Sequence, residues 1–88
     1  TFFNDDLIVF PNPSAGIMNI NLRVNAPGMV KIELYDMAGR VGATIYEGNM
    51  ANGIHQFELT QDIPEGQYVV RAVSSTAAVS QPVIVLNR

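Results

Sequence analysis

Hydrophobic and polar residues alternate along much of this chain with the two-residue period of a β-strand. The alternation is cleanest over residues 17–24, where the inward set is Met18, Ile20, Leu22 and Val24 and the outward set is Asn19, Asn21 and Arg23. Residues 30–35 repeat it, with Val30, Ile32 and Leu34 against Lys31, Glu33 and Tyr35. Because successive side chains of a strand point to opposite faces, each segment is predicted to bury one face and leave the other in water.

About seven such segments follow one another, with turn signals every 8 to 12 residues and no helical pattern of useful length. The predicted strands are 7–10, 17–24, 30–35, 41–47, 54–59, 67–74 and 78–86. Residues 11–16, 48–53 and 60–66 are predicted loops, rich in Pro, Gly and Asn. The sequence therefore predicts an all-β fold, a small immunoglobulin-like β-sandwich of about seven antiparallel strands.

Individual strands carry further expectations. The weak alternation of residues 41–47, with Val41, Ala43 and Ile45 on one face, suits an edge strand. In the sixth segment Tyr68, Val70 and Ala72 are predicted to point inward, and Val69, Arg71 and Val73 outward. Phe57 and Leu59 should point inward with His55 on the same side, Ile63 should plug the core, and the Tyr68 hydroxyl should bond a backbone group. Pro82 places the last strand at an edge or a bulge.

Length and composition restrict the class of protein. The 88 residues make one domain, predicted as residues 7–88 after a lead-in at residues 1–6. The net charge of −3 and five scattered cations argue against nucleic acid and against a polybasic membrane anchor. No apolar run reaches the roughly 18 residues of a membrane span. The chain shows no signal peptide and begins on Thr1, so we expect a piece of a longer protein.

The sequence offers little for catalysis or metal binding. It has one histidine and no cysteine, which excludes disulfides and thiolate metal sites. The acidic residues are spread out and show no calcium-loop spacing. We therefore expect no enzyme activity, no metal and no cofactor. His55 is interpreted as a half-buried strand histidine with one bonded nitrogen, in preference to a ligand or a pH switch.

The turn at residues 36–40 requires particular residue types at two of its positions. Asp36 can bond the backbone two residues on, and Gly39 can adopt a positive φ. Asp36 and Arg40 flank the turn and can pair across it. A structural clasp is the favoured interpretation, and a docking contact is the alternative.

Four ordered segments resemble one family, the C-terminal sorting domain of the type IX secretion system of Bacteroidetes. They are VFPNPSAGIMNI, VKIELYDMAGRV, LTQDIPEGQYVVRAV and SQPVIVLNR, which together run the length of the chain. Phe10 stands where the family usually has Tyr, and Ile63 where it has Leu. The last segment has Ser80, Gln81 and Pro82 where many members carry lysines.

The resemblance implies a non-catalytic address on a larger exported protein. Such a protein crosses the inner membrane with an N-terminal signal peptide, and its folded sorting domain is read in the periplasm by the outer-membrane translocon. A sortase-like cysteine peptidase usually then removes the domain and attaches the cargo to anionic lipopolysaccharide, so the expected location is the outer membrane, the cell surface or the medium. The alternatives are a retained module that binds lipopolysaccharide or another glycan, with Phe2, Phe3, Tyr35 and Tyr46 as candidate aromatics, and a structural spacer or adhesion module.

Candidate recognition residues follow from the same motifs. They are Pro11, Asn12, Pro13, Gly16, Tyr35, Asp36, Gly39, Arg40, Pro64, Gly66, Tyr68, Val83, Ile84 and Val85. The prolines can form a docking epitope or simply a rigid strand exit. The last strand can add its exposed edge to a translocon sheet or to a second copy as an edge-strand dimer. Alternatively, its aliphatic residues complete the core.

Overall fold

A computed structural model describes residues 7–15, 17–60, 63–75 and 77–86. The lead-in predicted at residues 1–6, Gly16 and the side chains of Asn12 and Pro13 lie outside this description. The strands are β1 Leu7–Ala15, β2 Ile17–Val24, β3 Gly28–Asp36, β4 Val41–Met50, β5 Gly53–Leu59, β6 Gly66–Val73 and β7 Ala78–Val85. The described part of the chain contains no helix, and the predicted all-β fold is confirmed.

The strands form two antiparallel sheets that pack as a β-sandwich. A three-stranded sheet has the order β1-β2-β5, and a four-stranded sheet has the order β4-β3-β6-β7. The sheets are joined on one side, where Ser14 of β1 pairs in parallel with Val85 of β7. The outer strands of the continuous order are therefore β4 and β5.

The core lies between the two sheets and is built from the inward half of each alternation. Its fully buried members include Ile20 and Leu22 of β2, Ile32 and Leu34 of β3, and Val70 of β6. The predicted inward faces of these three strands are confirmed, since each points one aliphatic row at the opposite sheet. Ile63 also packs against this core, as predicted.

The side of the sandwich that carries β4 and β5 is closed by aromatic packing. The rings of Tyr46 and Phe57 lie 5.3 Å apart between centroids, one from each sheet. Only Ala51 and Asn52 separate β4 from β5, so the chain passes directly from one sheet to the other. The prediction of a loop over residues 48–53 is wrong, because backbone pairing with β3 carries β4 on to Met50.

The prediction that Pro11 to Gly16 ends the first strand is also wrong. β1 continues to Ala15, and the Phe10–Pro11 peptide bond is cis. The pairing of β1 with β2 is irregular between Phe10 and Ala15, and Ser14 there pairs with β7. A strand that changes partners can hold prolines, because the ladder bonds they would break are already interrupted.

Strand β4 is an edge strand, as predicted, but its side chains do not follow the predicted alternation. Two irregularities in its pairing with β3 each leave one extra residue of β4, Gly42 and Ile45. Val41 therefore lies opposite the outward Tyr35 and is exposed, although it was predicted to share a face with the buried Ala43. A bulge shifts the phase of every residue beyond it, which a regular two-residue pattern does not capture.

One further expectation needs correction, and one strand whose role was left open can be described. Glu33 was assigned to the wet face of β3 but is buried, with only 8% of its surface exposed. The last strand was predicted either to present an exposed edge or to complete the core; β7 ends the four-stranded sheet, pairs with β1 between Val85 and Ser14, and buries Val83 and Val85 in the core. Its residues pair along β6 from Gly66–Val85 to Val73–Ala78. Strand order depends on long-range pairing and cannot be obtained from the alternation of β7 alone.

Candidate recognition site

The turn between β3 and β4 is closed by the side chain of Asp36. One carboxylate oxygen, Oδ1, accepts hydrogen bonds from the backbone N–H groups of Ala38 and Arg40, each at 2.9 Å. The other, Oδ2, accepts from Arg40 Nε at 3.0 Å. Gly39 has a φ of 85°, a value that glycine adopts without the steric cost of a Cβ. The structural clasp predicted for Asp36 and Arg40 is present.

These contacts change the acidity of Asp36. The backbone hydrogen bond from Arg40 lowers the pKa of the Asp36 carboxyl, and the Arg40 side chain and the Ala38 N–H act in the same direction. Partial desolvation opposes them. Because hydrogen bonds to the charged form favour that form, the turn is preorganised around an ionised aspartate at neutral pH.

A second polar cluster surrounds Glu33 beside this turn. Tyr35 donates its hydroxyl to Glu33 Oε1 at 2.5 Å, Thr44 Oγ1 lies 3.5 Å from Oε2, and Lys31 Nζ lies 3.6 Å from Oε2. The hydrogen bond to Glu33 raises the pKa of the Tyr35 hydroxyl, with burial and the Glu33 charge adding to the effect and Arg71 opposing it. These partners explain why the Glu33 carboxylate can be buried, because they supply the hydrogen bonds and the positive charge that water would otherwise provide.

The start of β6 is held by Tyr68. Its ring is buried and its hydroxyl donates to the backbone carbonyl of Pro64 at 2.6 Å, as predicted. This bond fixes the segment from Pro64 to Gly66 as it enters the four-stranded sheet, where Gly66 pairs with Val85. His55 likewise behaves as predicted, since it is half-buried and its Nε2 lies 2.6 Å from the Ala51 carbonyl oxygen.

The candidate recognition residues divide into buried and accessible groups. Val83, Val85 and Tyr68 are buried in the core, so their side chains stabilise the sandwich and are not available to a partner. Those at least partly accessible are Pro11, Tyr35, Asp36, Gly39, Arg40, Pro64, Gly66 and Ile84.

Strand register brings the accessible candidates to one end of the molecule. Asp36 lies opposite Tyr68, and Tyr68 lies opposite Val83. Val85 lies between Gly66 on β6 and Ser14 on β1. The four segments that carry the family resemblance therefore meet at the end of the sandwich that holds the turn at residues 36–40. We call this the recognition end.

An apolar surface adjoins the recognition end on the outer face of the four-stranded sheet. Its members come from the turn at residues 36–40 and from all four strands, and we call them the apolar strip: Tyr35, Met37, Val41, Val69, Pro82 and Ile84. Two shallow depressions of about 290 Å³ and 360 Å³ adjoin each other here, and both are lined by Met37 and Val69.

Sequence reasoning missed most of this strip. The alternation of β6 correctly predicts that Val69 and Arg71 point outward, but it does not show which residues of other strands lie beside them. The outward position of Val41 could not be predicted because of the bulges of β4. Met37 lies in a turn, where the alternation makes no prediction. The signals in the sequence were the outward Val69 of β6 and the aliphatic residues on both faces of the last strand, and Tyr35 and Ile84 were already among the candidate recognition residues.

The described residues contain no group of three His, Asp or Glu side chains placed to hold a metal ion. They also include no helix long and apolar enough to cross a membrane. The hydroxyls of Tyr35 and Tyr46 are bonded to Glu33 and to the Asn49 carbonyl, and Tyr46 packs on Phe57. Of the aromatics named for glycan stacking, these two are therefore engaged within the fold, and Phe2 and Phe3 lie outside the described residues.

The fold and the site define a small two-sheet β-sandwich whose surface features gather at one end. Compared with protein-family models, residues 8–86 match the secretion system C-terminal sorting domain, which is nearly the whole chain. The chain belongs to this family, the C-terminal sorting domains of type IX secretion. Neither the curated proteins nor the solved structures compared with the chain gave a match.

Family membership assigns the general function. A domain of this family is a C-terminal sorting signal for type IX secretion, and it interacts with the machinery of that system. Its destination is the cell surface or the medium.

Proposed function

We propose that this chain is a non-catalytic signal that directs a larger exported protein across the outer membrane, and that the recognition end is the surface read by the translocon. The meeting of four separate motif segments at one end of the sandwich supports this proposal. A preformed surface costs little conformational entropy on binding, and the Asp36 and Tyr68 hydrogen bonds hold the loops of this end in place.

The remaining steps are proposed from the family resemblance. The domain folds in the periplasm and presents the recognition end to the translocon. A sortase-like cysteine peptidase then removes it and joins the cargo to anionic lipopolysaccharide. The single histidine, His55, is hydrogen-bonded to a backbone carbonyl, and the Asp36 carboxylate accepts hydrogen bonds within its own turn. Because both side chains already have structural partners, they support a role in binding without catalysis. A strand-to-strand dimer would use β4 or β5, the outer strands of the sandwich.

The proposal is tested by fusing the chain to the C-terminus of a reporter that carries an N-terminal signal peptide, in a host with type IX secretion. The fusion is expected in the medium or on the cell surface, and the reporter alone is expected to stay in the periplasm. Retention of the fusion in the periplasm would overturn the proposal.

A matched pair of variants tests the recognition end. Ile84 lies there and is 44% exposed, whereas Ile54 is 61% exposed on β5 at the opposite end of the sandwich. Ile84→Ser is expected to lower export several-fold, and Ile54→Ser to leave it unchanged. Equal export of the two variants, with both folded, would show that the translocon reads a different surface.

A further inference from the structure

The outer face of the four-stranded sheet is organised in rows that cross the strands. One row is apolar and runs from Val41 through Tyr35 and Val69 to Pro82. The next row is polar and runs from Thr44 through Glu33 and Arg71 to Ser80. Along β3, β6 and β7 the two rows are two residues apart, which corresponds to about 6.6 Å, and on β4 the bulge at Gly42 separates them by three residues.

Arg71 is the cation of the polar row, and its charge faces the solvent. The neighbouring carboxylate of Glu33 already has Tyr35, Thr44 and Lys31 as partners. Among the described residues, no carboxylate forms an ion pair with Arg71, which is exposed and lines the larger depression beside Ser80. A guanidinium in this position can donate two parallel hydrogen bonds to a carboxylate.

Apolar surface lies one row away from this cation. Met37 and Ile84 are 66% and 44% exposed, and both line the smaller depression together with Val69 and Pro82. Exposed aliphatic side chains clustered around a depression are typical of a surface that a partner covers.

We propose that the apolar strip and Arg71 together bind an extended peptide segment of a partner protein, with an aliphatic or aromatic side chain at one position and a carboxylate two residues away. An extended peptide presents alternate side chains to one face at the same spacing of about 6.6 Å that separates the two rows. The apolar side chain fills the depression at Met37 and Val69. The carboxylate accepts from Arg71, and the Ser80 hydroxyl is a second donor.

We assign this partner protein to the secretion machinery, and that assignment alone rests on the proposed function. The binding site itself is argued from row spacing, exposure and charge.

Peptide binding to the complete 88-residue chain tests the site. The probe is a fluorescently labelled hexapeptide, too short to form a helix, in which leucine and glutamate are separated by one serine. Its matched control carries glutamine in place of the glutamate. By fluorescence anisotropy, the glutamate peptide is expected to bind roughly tenfold more tightly than the glutamine peptide, because an ionised acceptor strengthens the bond to Arg71.

Variants assign that difference to particular residues. Arg71→Gln is expected to remove the preference for glutamate, and Met37→Ser to weaken both peptides alike. Arg23→Gln, at an exposed arginine of the other sheet, is expected to change neither. The inference is overturned if the peptides bind equally, if Arg71→Gln and Arg23→Gln behave alike, or if moving the glutamate next to the leucine leaves affinity unchanged.

Export of the reporter fusion separates this inference from the proposed function. Loss of both peptide binding and export in Arg71→Gln supports a segment that belongs to the secretion machinery. Loss of peptide binding with normal export upholds the site and refutes that assignment. Failure of every peptide to bind, together with normal export of the unaltered fusion, overturns the site and leaves the proposed function intact.

Discussion

At the scale of single residues, Asp36 shows how one side chain determines a local structure. Its two oxygens accept from two backbone N–H groups and one guanidinium, and the left-handed conformation of Gly39 lets the chain reverse between them. All of these groups lie within five residues of one another. The sequence could therefore predict this clasp, because its geometry depends on local backbone and side-chain preferences.

The lowered pKa of Asp36 makes the stability of the folded chain depend on pH. Its pKa is lowered in the folded chain relative to the ordinary value of about 4, so the folded state binds this proton less readily than the unfolded state. The stabilisation is present above about pH 4 and is lost as the pH falls through the lower, folded pKa.

Substituting Asp36 tests this linkage. Asp36→Asn keeps one acceptor oxygen but removes the charge, so it should unfold at lower urea concentration than the unaltered chain at pH 7. The difference should narrow as the pH falls below about 4, because protonation then removes the same charge from Asp36. Urea midpoints between pH 7 and pH 2.5 measure the effect, with Glu58→Gln as the control for loss of a charge on β5. A difference that stays constant with pH would contradict the assignment.

At the scale of elements, β7 combines a structural face and an exposed face on neighbouring residues. Val83 is 1% exposed and pairs beside the buried Tyr68, whereas Ile84 points away from the core. The two alternatives for this strand, completing the core or presenting a surface, therefore both hold, for alternate residues.

Stability measurements separate these two faces. Val83→Ala should lower the free energy of unfolding by about 2 kcal/mol, because it removes buried methyl groups and leaves a cavity. Ile84→Ser should change it by no more than about 0.5 kcal/mol, as is usual for an exposed position. Urea denaturation of both variants measures the difference. Equal losses would mean that Ile84 also contributes to the core.

At the scale of the whole molecule, the sandwich is joined differently on its two sides. Backbone pairing links β1 to β7 on one side, and aromatic packing between β4 and β5 closes the other. β7 therefore contributes to both sheets, since it pairs with β6 along its length and with β1 at Val85. Its last residues connect the two halves of the fold.

Truncation tests this role. Deleting residues 83–88 should unfold the entire chain, because it removes Val83 and Val85 from the core together with the β1 link. Deleting only residues 87–88 keeps β7 and should leave the fold intact. Dispersion of backbone amide signals by NMR distinguishes the outcomes. A folded chain after the longer deletion would show that β7 is dispensable for the sandwich.

This expectation affects how secretion experiments are interpreted. Removing the last strand is expected to abolish export, but by unfolding the domain as well as by removing a contact surface. The exposed substitution Ile84→Ser addresses recognition directly, because it is expected to leave the fold stable.

The amino-acid pattern alone was enough to predict that the chain forms strands, that the aliphatic rows of β2, β3 and β6 face the core, and that Asp36 closes its turn. These features depend on side-chain alternation and on hydrogen bonds between near neighbours. Long-range strand pairing produces the bulges of β4, the change of partners along β1, the link between β7 and β1 and the apolar strip beside Arg71. These depend on which strands pair and in what register, and such pairing joins residues far apart in the chain, which no local pattern specifies.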